Sequence, residues 1–272
     1  MLDGLTRYAL SESLLDAALK EPEHAEEALR AQGQRLQRSG LLPLAGFGEL
    51  MQQELIQPLP DLLERHTGLL VAWPEEVTGA QPLSFEHDGL RLEGWLERLR
   101  RRSDGSLIAI TPVPNEIGSA KTRKWYRLIR PWIVHLTASA CGVPLTTALV
   151  ATDETLMLAP LETAQAAAAL RDLLLAWQNG MRYPLPVAVK TAFAWLSAEQ
   201  DPAKAQAAAR KAYEGDGVNS LGERAESPAL MRQYPDFTAL TAREEFEGWC
   251  NALYRPMFEA SWCEQPAQGA AA

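Results

Sequence analysis

Apolar residues recur every three to four positions through the first sixty residues, then closer to every second position, and this change of period divides the chain. Leu10, Leu14, Leu15 and Ala18 fall on one helical face, with Ser11 and Ser13 as candidate N-caps. Pro22 opens a second helix that turns Ala28, Leu29 and Leu36 inward and stops at Ser39-Gly40. A third carries Leu50, Leu55 and Leu62, and Pro58 and Pro60 are expected to break it. The strand period is read from Leu69, as Leu69-Val71-Trp73 and Leu83-Phe85. From Leu90 the pattern alternates, with Leu90, Leu92 and Leu96 against Arg91, Glu93, Trp95 and Glu97. Leu107–Ile110 is a continuous apolar run, as in a central strand, and Ser103-Asp104-Gly105-Ser106 between the two segments predicts a hairpin turn.

Helical spacing returns over roughly 121–140, where Trp125, Leu128, Ile129, Trp132, Ile133 and Leu136 form a stripe interrupted by Pro131. Pro131 either kinks this helix or marks its first turn. Strands at 145–151 and 155–158 flank a Thr152-Asp153-Glu154 turn. The helix at 162–178 groups Leu170, Leu173, Leu174 and Trp177, and its Ala-rich start, Thr163–Ala169, suits close packing. The last third reads as helices at 188–197, 202–213 and 242–256, with a polar, Gly-containing and mobile loop from Glu214 to Ser227 and a frayed tail from Glu264. The order predicts an α/β or α+β fold around a small mixed sheet. It divides into an N-terminal helical segment (1–68), an α/β core (69–198) and a helical C-terminal extension (199–272).

The 272 residues, 47% hydrophobic and 22% charged, suffice for one large core. No apolar run is long enough for a transmembrane helix and no secretion signal opens the chain, so a cytoplasmic protein without a membrane partner is expected. Cys141, Cys250 and Cys263 are odd in number and widely spaced, which fits reduced thiols. His24, His66, His87 and His135 lack ligand spacing, and His135 reads as a satisfied packing residue. No Walker A motif and no Gly-x-Ser-x-Gly elbow occurs, so no cofactor is expected.

The net charge is −9, from 26 basic and 35 acidic residues, which argues against tight DNA binding by the whole surface but allows a basic face. Two basic stretches supply candidates. Arg98, Arg100, Arg101 and Arg102 crowd the predicted hairpin tip. Lys121, Arg123, Lys124, Arg127 and Arg130 crowd the start of the long helix, with Arg123, Arg127 and Arg130 on one side. Such cations serve phosphates without reading bases; a solvated, ion-paired face is the alternative. Trp125 and Trp132 have the ring chemistry for base stacking, although their spacing favours core packing.

Several segments together resemble one family: Arg7-Tyr-Ala-Leu-Ser-Glu-Ser-Leu-Leu15, Gly40-Leu-Leu-Pro43, Gly94-Trp95-Leu96, His135-Leu136, Pro184-Leu-Pro186 with Ala194-Trp195-Leu196, and Ala209-Arg-Lys-Ala-Tyr-Glu-Gly215. Their order and spacing over residues 5–258 are similar to the C-terminal domain of RecC, the gamma subunit of exodeoxyribonuclease V, the RecBCD helicase–nuclease. The resemblance implies a piece of a longer protein with a degenerate PD-(D/E)xK restriction-endonuclease-like core. It also implies a non-catalytic role in double-strand-break repair and recombination, with double-stranded or forked DNA and RecB-like and RecD-like subunits as partners. Phe47, Leu50 and Phe237 are candidate partner-facing residues.

A working nuclease of that class holds Mg²⁺ on an acid of one strand and on D/E-x-K of the next. Gly94-Trp95-Leu96 leads to Glu97, whereas the matching second-strand positions are Ala109 and Thr111, so no catalytic residue and no metal ligand set is expected. Two rivals stay open. One is an active Mg²⁺-dependent nuclease in which Glu93, Glu97, Glu116 and a migrated Lys121 or Lys124 converge. The other is a protein–protein interaction module without DNA contact.

Overall fold

In a computed structural model of the protein, residues 3–43, 45–217 and 220–264 are described. Helix α1 (Gly4–Lys20) buries Leu10, Leu14, Leu15 and Ala18, as their spacing predicts. Its N-cap is Asp3, whose carboxylate accepts from the Thr6 amide at 2.7 Å; Ser11 and Ser13 lie inside the helix. A 3₁₀ turn at Pro22–His24 leads into α2 (Ala25–Arg38), which turns Leu29, Gly33 and Leu36 inward. Helix α3 (Gly46–Ile56) is followed at once by α4 (Leu59–Ala72). Pro58 and Pro60 thus start a helix, where a missing N–H costs nothing, as well as ending one. Leu69 and Val71 are helical, not the first strand. Leu59, Leu62 and Leu69 share one fully buried face of α4, a period that outweighs the short alternation ending at Trp73.

The strands are β1 (Glu75–Glu76), β2 (Gln81–His87), β3 (Leu90–Leu96), β4 (Leu99–Arg101), β5 (Leu107–Pro112), β6 (Leu145–Val150), β7 (Thr155–Leu158) and β8 (Trp262–Glu264). Six form one mixed sheet in the order β1-β4-β5-β6-β7-β8, and β2 and β3 form a separate antiparallel ribbon. Leu90–Leu96 therefore does not pair with Leu107–Pro112. A two-residue turn at Asp88-Gly89, both with positive φ (47° and 76°), closes β3 onto β2 instead. Arg98, at φ 56°, then redirects the chain into β4, the true hairpin partner of β5 across the predicted 103–106 turn. Leu107–Pro112 is central, as expected, antiparallel to β4 and parallel to β6.

The parallel pair needs a crossover, and α5 (Ile129–Ala140) supplies it. This helix is shorter than predicted. Residues 121–124 are non-helical, Trp125–Arg127 is a 3₁₀ turn, and Pro131 sits buried in the first α-helical turn, so it begins the helix and does not kink it. Arg123, Arg127 and Arg130 consequently do not share a helical face. Ile133 is 41% exposed, and His135 takes the inward position.

After β7 come α6 (Thr163–Gly180), α7 (Val189–Ala198), α8 (Pro202–Glu214), the short α9 (Glu223–Glu226), α10 (Pro228–Gln233) and α11 (Phe237–Thr241), and α12 (Phe246–Phe258). In α6 the small residues Ala166 and Ala176 join Leu170 in facing inward, and Trp177 is 58% exposed, not part of the core. Glu264, expected in the frayed tail, pairs with Leu156 in β8, and residues 265–272 lie outside the described residues.

The sheet is covered on both faces. Ile108, Ala148 and Val150 pack against α1 to α4, and Leu149, Leu156 and Leu158 against α5 to α8 and α12. The β2–β3 ribbon leans on the end of α5 through Leu83 and Leu96, which join Leu99, Ala138 and Leu145. Phe237 is 3% exposed, packed between Tyr213 and Phe246, and so is core and no partner surface. Phe47 and Leu50 are exposed, at 78% and 54%.

Candidate nucleic-acid interface

The loop between β5 and α5 carries most of the second basic stretch, and it is tightly built. Asp153, in the β6–β7 turn, accepts from the Ile117 amide at 2.9 Å and the Gly118 amide at 2.7 Å. Ile117 itself is fully buried. The Thr122 amide donates to Ser119 and the Lys124 amide to Ile117, closing the loop on itself. Gly118 has φ +77°, and a Cβ there would lie 2.3 Å from the Thr122 carbonyl oxygen, so only glycine fits without a shift.

The cations on this loop divide by environment. Arg123 turns inward, its side chain 6% exposed, to pair with Glu154 and, at 3.4 Å, with Glu264. Burial pushes the Glu154 carboxyl up, and the Arg123 hydrogen bond opposes this. Lys124 pairs with Glu116 at 3.1 Å, and Arg127 donates to the Glu116 carbonyl. Lys121 and Arg130 are exposed and make no hydrogen bond or ion pair among the described residues.

At the β4 hairpin three of the four arginines are engaged, two of them tying the sheet to the end of α4. Arg100 donates to the carbonyls of Trp73 (2.5 Å) and Pro74 (2.6 Å). Arg102 donates to Ala72 at 3.2 Å and lies 3.8 Å over the Trp73 ring. Arg101 pairs with Glu75 at 2.7 Å. Arg100 and Arg102 thus satisfy carbonyls at a helix C-terminus, where the dipole also favours cations, while Arg101 makes a cross-strand ion pair with β1. Arg98 alone of the four is exposed without such a partner among the described residues.

The residues expected for metal-dependent cleavage are placed apart. Ala109 lies opposite Leu99 and beside Thr147, and Thr111 is exposed at the end of β5; neither offers a carboxylate or an ammonium group. Glu93 pairs with Arg91 on the ribbon and Glu116 with Lys124 on the loop, while Glu97 is exposed beyond β3. Among the described residues no three His, Cys, Asp or Glu side chains are grouped to hold a metal ion. Cys141, Cys250 and Cys263 are all free thiols. No described helix is long and apolar enough to cross a membrane.

A groove of about 570 Å³ lies between this loop and α7, formed by residues distant in the sequence. It brings Lys190 and Phe193, some 65 residues downstream, against Lys121 and Trp125. No local signal marks Lys190, and Asp153 reads in the sequence only as a turn residue.

A family model of the RecC C-terminal domain matches residues 1–200. The RecBCD enzyme subunit RecC of Escherichia coli (strain K12) is 26% identical over 269 residues, 94% of this chain and 22% of that protein. The chain thus spans less than a quarter of the length of that relative. Since the matched residues run from the N-terminal helices through β7 and α5 to α7, the chain belongs to the RecC C-terminal domain family.

Proposed function

We propose that this chain is a non-catalytic domain of a RecC-like subunit that works in double-strand-break repair and recombination within a cytoplasmic RecBCD-like assembly. Its tasks are to contact double-stranded or forked DNA and to hold RecB-like and RecD-like subunits. The core between residues 69 and 198 is a degenerate PD-(D/E)xK nuclease. The observation that carries this reading is β5, where Ala109 and Thr111 stand in place of the acid and lysine that a Mg²⁺-dependent phosphodiester cleavage needs. Exposed cations at Arg98, Lys121 and Arg130 support phosphate contact. Exposed Phe47 and Leu50 support contact with a partner subunit.

Labelled forked DNA titrated with the chain at low salt, with and without Mg²⁺, tests the reading. The expected result is binding that weakens as salt rises, with the DNA left intact. Mg²⁺-dependent cleavage abolished by Glu97→Ala would overturn the non-catalytic assignment. Absence of both binding and cleavage would leave subunit contact as the remaining role.

A further inference from the structure

The groove beside α7 differs in charge from the rest of this acidic chain. Its walls carry Lys121, Arg123, Lys124 and Lys190 and no carboxylate. The acids that pair with these cations, Glu116, Glu154, Glu226 and Glu264, all lie outside the lining. Rings are interleaved with the cations. Trp125 stacks on Phe193 at 5.6 Å, and Tyr126, 40% exposed, has Lys190 Nζ 5.3 Å from its ring centre. Lys121 is exposed, and the acids that hold Lys124 and Lys190, Glu116 and Glu226, are themselves 67% and 60% exposed, so a phosphate can replace them. Cations beside an exposed ring recognise phosphate and an unpaired base together.

From this arrangement we infer that the groove holds a short single-stranded nucleic-acid segment, with a phosphate on Lys121, further phosphates displacing the exposed Glu116 and Glu226 from Lys124 and Lys190, and a base against Tyr126. The inference rests on the DNA-contact reading and narrows it to one strand form. A duplex keeps its base faces stacked inside the helix, so only an unpaired strand can present one to Tyr126. An acidic peptide fits less well. The amides of Thr122, Lys124, Arg127 and Leu128 are all spent within the loop and its 3₁₀ turn, which leaves no free backbone edge at these positions for an added strand.

The test uses the full 272-residue chain and three fluorescent probes: an oligo-dT 12-mer, a blunt duplex of the same length, and a hexapeptide of glutamates ending in phenylalanine. Anisotropy is read at several salt concentrations for the wild type, Tyr126→Ala and Lys121→Ala. Both changed side chains are exposed, and matched circular dichroism melts confirm folding. Tyr126→Ala is expected to weaken oligo-dT about tenfold and to leave the duplex unchanged. Lys121→Ala is expected to lower the oligo-dT salt slope by about 0.7. If oligo-dT binds the wild type and Tyr126→Ala equally, the groove is not its site, and duplex binding that persists keeps the broader DNA-contact reading. If neither nucleic acid binds, both readings fall. Tyr126-dependent capture of the peptide alone would overturn the inference in favour of an acidic protein segment.

Discussion

At the scale of single residues, two buried groups set contrasting dependences. The Arg123 and Glu154 side chains are 6% and 18% exposed, so each neutralises a charge largely withdrawn from water. Removing one partner leaves the other desolvated and unpaired, which costs more than the pair itself contributes. Arg123→Ala is therefore expected to destabilise the chain by about 3 kcal/mol in urea unfolding, whereas Arg98→Ala, at an exposed and unpaired position, is expected to stay within about 0.5 kcal/mol. His135 is fully buried on α5, with Nδ1 2.9 Å from the Thr147 hydroxyl and no close hydrogen bond at Nε2, so its ring is only half satisfied. Burial pushes its pKa down from 6.5 to about 4, partly offset by the Ala159 backbone. Above pH 6.5 the ring is neutral in both states. As pH falls from 6.5 towards 4 the unfolded chain takes up a proton that the folded one refuses, so stability drops by up to about 3 kcal/mol. Below about pH 4 this group adds no further change. Glu154, with its carboxyl raised, works in the opposite direction, losing stability as pH rises above the ordinary carboxylate value. Urea midpoints at pH 7.0, 5.5 and 4.5 isolate the histidine if His135→Gln flattens the decline; a decline of equal size in that variant would assign it to other groups.

Among the elements, what the sequence disclosed followed the strength of local signals. The α1 face, the central strand β5 and the strand–turn–strand at 145–158 were legible because each carries an uninterrupted period. The β2–β3 ribbon was misassigned although Asp88-Gly89 is a strong hairpin signal, because alternation from Leu90 onward attracted the pairing to Leu107. Most of the basic stretches were legible as charge but not as role. Arg100 and Arg102 serve the end of α4, and no periodicity on β4 could reveal a helix terminus some 30 residues away. Helix α7 shows the same long reach. Its first amides lack a local cap, and Glu223 on α9 supplies one, accepting from the amides of Lys190 (3.0 Å) and Thr191 (2.9 Å) and from the Thr191 hydroxyl (2.8 Å). The segment from Glu214 to Ser227, read from composition as a loop, thus contributes a carboxylate that fixes the end of α7 carrying Lys190. Glu223→Ala is expected to lower stability by about 1–2 kcal/mol, with Glu223→Gln retaining part of it. Hydrogen exchange at Lys190 and Thr191 should accelerate in the alanine variant; unchanged protection there would mean that the cap is dispensable.

For the whole molecule the governing quantity is how many cations remain available. The chain is acidic by nine charges, yet its sequence presents nine basic residues in two stretches that resemble a phosphate-binding face. The structure commits six of them: Arg100 and Arg102 to the α4 junction, Arg101 to Glu75 on β1, and Arg123, Lys124 and Arg127 to Glu154, Glu116 and the Glu116 backbone. Arg98, Lys121 and Arg130 stay exposed and unpaired among the described residues. Counterion release makes the consequence measurable, because each phosphate neutralised on duplex DNA contributes about 0.9 to the slope of log affinity against log salt. Nine acting cations would give a slope near −8, and three give a slope between about −2 and −3. Duplex binding by the isolated chain is therefore expected to be weak and to fall along the shallow line, with Arg98→Ala and Arg130→Ala each removing about one unit. A slope near −8 would require the internal ion pairs to open on DNA. Arg123 would then leave Glu154 unpaired in the interior, and binding would have to supply that cost.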